Sequence, residues 1–241
     1  MKKAIPLCGV LLAVTATVAS AAAGVNIRWN SCLGDGGVFG RAFACNSNTA
    51  FHVLAASFVL PTDLPQAAAV GVRIVVSSAS PILPEWWQFT NPGSCRQTAL
   101  SAAAQDGPSC PDWAQGQASV SIAGYNLGAG DGPNTAEIYV VNAVSLDQVQ
   151  NLGGGQEYGV VQLRITTAKT AGTGSCVGCL IPACIVCQTV DMFSSVNNGA
   201  LHILMSGPSN GTDSHYVAWQ GGCREVALRK SSWGGLKSLY R

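Results

Sequence analysis

The chain has 241 residues, 48% of them hydrophobic and 10% charged, with a formal net charge of +1. That apolar content can bury a substantial core, which argues against wholesale disorder. The near-neutral balance lacks the basic face of a nucleic-acid binder.

The first segment, "MKKAIPLCGVLLAVTATVASAAAG", puts Lys2 and Lys3 before an apolar run from Ala4 to Ala19, with Ala-x-Ala options ending at Ala21 or Ala23. This order predicts a secretory signal peptide over residues 1–23. Cys8 follows Leu7 inside the apolar run, a context that does not fit a lipidation site. No later stretch is long and apolar enough for a transmembrane helix. The mature chain is therefore expected outside the cytoplasm, in the periplasm, at the cell surface or secreted.

Short apolar runs bounded by turn residues read as strands. They are "VNIRWN" (25–30), "HVLAASFVL" (52–60), "AVGVRIVVSSA" (69–79), "WWQFT" (86–90), "ASVSIAGYN" (118–126), "AEIYVVNAV" (136–144), "YGVVQLRITTAK" (158–169), "CIVCQTVDMFS" (184–194) and "ALHILMSG" (200–207). In "VVQLRITT" Val161, Leu163 and Ile165 point one way, and Gln162, Arg164 and Thr166 the other. One wet and one buried face fit antiparallel sheets. Short helical turns are expected at "LPTDLPQ" (60–66) and "SLDQVQNL" (145–152). The predicted fold over residues 24–223 is an antiparallel two-sheet sandwich, jelly-roll or immunoglobulin-like, pinned by disulfides. Residues 224–241 carry Arg224, Arg229, Lys230, Lys237 and Arg241 against Glu225 alone, and read as a basic tail standing off that domain.

Ten cysteines, less Cys8 in the leader, leave nine. Cys176, Cys179, Cys184 and Cys187 form C-x2-C-x4-C-x2-C. A structural zinc site separates its two pairs by a longer segment, and export favours disulfides. A redox C-x-x-C wants a helix N-terminus to lower its thiol pKa, whereas "CIVC" reads as a strand. Disulfides are thus expected among Cys32, Cys45, Cys95, Cys110, Cys176, Cys179, Cys184 and Cys223. Each Gly-rich or polar loop is expected to be stapled by its own flanking pair: Cys32 with Cys45, and Cys95 with Cys110. Cys176 or Cys179 is expected to pair with Cys184, the other with Cys223, leaving Cys187 buried and free.

The signals for catalysis are sparse. No H-E-x-x-H or P-loop is present. His52 and His202 open apolar strands and read as core or edge residues. His215, in "NGTDSHYVAW" with Asp213, is the centre of the one dense polar stretch and the basis of an alternative reading as a polymer hydrolase. "GDGG" (34–37) and "GAGDGPNTAE" (128–137) read as turns, with calcium as the competing reading of each. No other cofactor is expected. "NGT" (210–212) is a glycosylation sequon. Aromatic and basic residues offer contact candidates: Trp86, Arg96, Tyr125, and in the tail Trp233 and Tyr240.

The runs "GDGGVFGRAFAC", "LPEWWQF", "GSCRQTAL", "NGTDSHYVAWQGG" and "WGGLKSLYR" resemble segments of a family of exported bacterial proteins with no known activity. The resemblance implies export and carries over no ligand or catalytic residue. The reading is a secreted, non-catalytic binding or cell-surface structural module, with a glycan or a surface protein as partner. A third possibility is an adhesin-like cargo whose tail is a sorting signal.

Overall fold

A computed structural model describes residues 23–130, 132–196, 201–205 and 214–223, the side chains of 201–205 excepted. The strands are β1 (Gly24–Trp29), β2 (Gly40–Arg41), β3 (Phe51–Val59), β4 (Leu64–Ser78), β5 (Leu100–Ala103), β6 (Ser119–Leu127), β7 (Thr135–Ala143), β8 (Gln150–Leu152), β9 (Glu157–Thr166), β10 (Ala183–Ser194), β11 (Leu201–Met205) and β12 (Tyr216–Trp219). They form two sheets, which makes the fold an all-β, mainly antiparallel sandwich. The first sheet has the order β1-β3-β9-β5, and the second β2-β12-β10-β4-β7-β6. The long strands β4 and β10 lie side by side at the centre of the second sheet. Their outer edges are each shared by two short partners: β7 and β8 on β4, β12 and β11 on β10. β12 pairs with β2 in parallel, and Asp112 bridges Gly159 in parallel.

Alternation decides which face is dry. Val70, Val72, Ile74 and Val76 of β4 are buried, while Arg73 between them is exposed. In β9, Val161, Leu163 and Ile165 are buried and Arg164 is exposed. In β10 a bulge at Gln188, between the pairs Cys187↔Ile74 and Thr189↔Arg73, inserts one residue. Both Cys187 and Val190 are fully buried on either side of it. The bulge thus resets the inward phase midway along a twelve-residue strand. The sheets are tied along one side where Ile27 N donates to Ser214 O at 2.8 Å and Arg28 Nη1 donates to Ser214 O at 3.0 Å.

The sequence expectation fails at four kinds of place. "WWQFT" is no strand: Glu85–Trp87 is a single 3-10 turn after Pro84, and both tryptophans are fully buried. The segments 60–66 and 145–152 are not helical; bends there lead into β4 and β8. The two-, three- and four-residue strands β2, β5, β8 and β12 are too short to show a period. The disulfides cross between distant loops: Cys32–Cys110, Cys45–Cys179, Cys95–Cys176 and Cys184–Cys223, with Cys187 free and buried. Antiparallel crossovers bring loops far apart in sequence to the same end of the sandwich, so neighbours in sequence are not neighbours there. The leader up to residue 22 and the segment 224–241 lie outside the described residues.

Candidate functional site: an apolar rim locked by disulfides

Three segments meet where β4 ends, β7 begins and β10 begins: residues 79–88, 132–134 and 167–182. Ala79 N donates to Pro182 O (2.9 Å), Leu83 N to Pro133 O (2.9 Å) and Trp86 N to Val177 O (3.0 Å). The first and third of these bonds set residues 79–86 antiparallel to 177–182, so Ile82 and Leu180 fall on facing segments. Two disulfides fix the third loop from behind. Cys179 is bonded to Cys45, and Cys176 to Cys95. Asn48 adds a clamp, its Oδ1 accepting from Thr170 N (2.8 Å) and Ala171 N (2.9 Å). Gly178 has φ +114°, and a Cβ there would sit 2.2 Å from Pro84 Cβ, so a glycine lets the two loops touch.

Behind the rim lies an aromatic layer. Trp219 stacks on Phe43 (4.1 Å) and leans on Trp86 (4.7 Å) and Trp87 (5.2 Å). Its Nε1 donates to Cys179 O at 2.7 Å. Arg96 is 2% exposed and lies 3.7 Å over the Trp86 ring. It donates to Trp86 O (2.6 Å), Ala168 O (3.0 Å) and Thr166 O. Burial pulls its pKa down to about 9, against an opposing pull from Tyr125. Tyr125 donates its hydroxyl to Trp87 O, and burial pushes its pKa up. The contact role expected for Trp86, Arg96 and Tyr125 is therefore corrected: all three are interior struts of the rim. Trp233 and Tyr240 lie outside the described residues.

What the rim presents is aliphatic. Ile82 is 66% exposed, Val177 67% and Leu180 73%, with Pro81 and Pro133 also exposed beside them. Sequence reasoning missed these three residues. The available signal was an aliphatic side chain inside a Pro- or Cys-rich turn, "SPILP" and "CVGCLIP", where no strand period accounts for it.

The carboxylates gather on other loops. Glu157 is 6% exposed. It accepts from Ser57 Oγ (2.5 Å), Asn26 Nδ2 (3.3 Å) and Gly34 N (2.8 Å). Cys32 and Cys110 place their sulfurs near it, all three ligand atoms lying within 4.8 Å of one another. Those sulfurs are bonded to each other, and metals take the thiolate. Asp35 of "GDGG" accepts from Ser109 N at 2.7 Å, and Asp112 from Ala114 N (3.1 Å) and Gly116 N (2.8 Å). These acids thus act as caps for loop backbone. Asp131, the acid of the second calcium candidate, lies outside the described residues.

Among the histidines, His52 is half-buried, with its ring 4.3 Å from Phe43 and 5.2 Å from Trp219. Burial, then the charges of Arg41 and Arg96, pull its pKa down to about 4. His202 pairs with Met192 in the β10–β11 ladder. His215 packs its ring 5.1 Å from Tyr216, and its expected partner Asp213 lies outside the described residues.

No family model and no curated protein matches the chain. Among solved structures, the second type II cohesin module from the cellulosomal adaptor ScaA scaffoldin of Acetivibrio cellulolyticus is similar at 8% identity. The likeness covers 78% of this chain and 98% of that one with a TM-score of 0.33. At that score it carries no argument, and the sandwich rests on the strand pairing above. No helix among the described residues is long and apolar enough to cross a membrane.

Proposed function

We propose that the chain is an exported, non-catalytic binding or cell-surface structural module that takes a protein partner on the apolar rim. The observation that carries this reading is the exposure of Ile82, Val177 and Leu180 on loops that two disulfides and a buried arginine hold still. Clustered aliphatic surface on a soluble domain marks an interaction site. Loops already fixed in place lose little entropy on binding. Four disulfides also suit an oxidising compartment. A protein is favoured over a glycan at the rim because sugar rings stack on aromatic faces, whereas the exposed Ile82, Val177 and Leu180 are aliphatic.

The test is to present labelled mature protein to bacterial cell surfaces and to a printed glycan panel. The expected result is binding to cells that protease treatment of those cells abolishes, and that falls at least tenfold in Ile82→Asp or Leu180→Asp, with no glycan retained. Binding to glycans that both variants keep, or release of soluble fragments from a polymer, overturns the reading.

A further inference from the structure

We infer that two copies of the chain associate edge to edge, the run Ser119–Ile122 of β6 pairing antiparallel with itself across a two-fold axis. The first support is what guards each sheet edge. β2 has two residues, β8 three, β5 four and β11 five. β1 is bonded on its outer side: Ile27 N donates to Ser214 O at 2.8 Å, and Trp29 exchanges bonds with Val38 at 2.9 and 3.0 Å. β6 has nine residues, and among the described residues it pairs with β7 alone. No backbone hydrogen bond from another described segment reaches its outer side. Proteins keep edge strands from pairing with lysine, proline, brevity or a bulge. β6 has neither lysine nor proline, and its bulge at Ala123 leaves Ser119–Ile122 in unbroken register with Val140–Ala143.

The second support is charge. Residues 113–130 contain no Asp, Glu, Lys, Arg or His, and neither do residues 97–105, which include β5. β5 and β6 lie side by side at this margin, one from each sheet, without pairing. The nearest charges on paired strands are Arg164, opposite Ser101, and Glu137, opposite Asn126. Both stand one strand further in, and Glu137 is paired with Arg73 at 3.5 Å. A second copy therefore meets no like charge at this edge, while a foreign strand finds no charge to select it. That favours the same edge of a second copy, as in an isologous dimer. Val120, Ile122 and Ala102 are only partly buried against the core here, and the pairing covers them. Antiparallel pairing also turns the two rims away from each other. That consequence for partners rests on the function proposed above; the pairing itself does not.

Sedimentation of the mature protein from about 1 to about 500 µM tests this, with hydrogen–deuterium exchange at both ends of the range. The expected result is a monomer giving way to a dimer, with amide exchange in residues 119–122 slowed about tenfold at the high concentration. Ser121→Lys, placed on an exposed serine, should stay monomeric with an unchanged thermal midpoint. Ile82→Asp should dimerise like wild type. A wild-type monomer at every concentration overturns the inference, and so does a dimer that Ser121→Lys leaves intact. A dimer that Ile82→Asp dissociates overturns it as well, because the rim is then the interface. Equally slow exchange in 119–122 at both concentrations also overturns it, because the same chain then covers the edge. A failed partner screen with the dimer behaving as expected would sink the proposed function alone.

Discussion

Arg96 and His52 show what single residues reveal and conceal. Arg96 has no acidic partner among the described residues; its guanidinium is satisfied by three backbone carbonyls and a tryptophan face. Carbonyls are the same whatever the side chain, so nothing in the sequence marks them as partners. That is why Arg96 reads as a surface contact until the loops are in place. His52 gives a pH signature. Its folded pKa of about 4 lies below the ordinary value of 6.5, so between these values the unfolded chain binds a proton that the folded chain does not. Stability therefore falls as pH drops through that window. Thermal unfolding from pH 7 to 4.5 should show this slope in wild type and a flatter one in His52→Leu, whose side chain keeps the packing on Phe43 and Trp219. Parallel curves for the two proteins would remove His52 from the account.

At the scale of elements, the long strands were legible and the short pieces were not. The alternation placed β9 within three residues of its observed bounds, because Val161, Leu163 and Ile165 stay buried on one face; the reading of β4 at 69–79 missed its first five residues, where Gln66 takes φ 49° and the register shifts. "WWQFT" misled because aromatic content mimics a strand, while Pro84 and two fully buried tryptophans impose a 3-10 turn. The role of each cysteine as bonded or free was legible from export and from the strand phase at Cys187. Pairing was not legible, since it depends on which loops share an end of the sandwich. Gly178 tests how tightly those loops fit. Gly178→Ala needs a left-handed backbone and places a methyl against Pro84, which should cost about 1–3 kcal/mol. Denaturant unfolding without reductant should show that loss, and an unchanged midpoint would mean the loops at 84 and 178 are not in contact.

Across the whole molecule, chemistry is partitioned. Asp35, Asp112 and Glu157 accept from loop backbone near the Cys32–Cys110 bond, whereas Ile82, Val177 and Leu180 stand exposed on a rim braced by two disulfides. The fold class followed from periodicity alone. The rim did not, because it is a property of three loops brought together by β4, β7 and β10, and each loop by itself reads as a turn. Rigidity is the point on which function depends: an exposed aliphatic surface on loose loops would collapse onto the core, whereas cross-linked loops must keep it in solvent or against a partner.

Proteolytic mapping of the unreduced protein, with native alkylation first, addresses this cross-linking directly. The expected peptides join Cys45 to Cys179, Cys95 to Cys176, Cys32 to Cys110 and Cys184 to Cys223. Cys187, whose thiol burial pushes up to about 12, should label only after denaturation. Cys176 or Cys179 joined to Cys184, Cys32 joined to Cys45, or Cys187 labelled in the native protein would contradict the account.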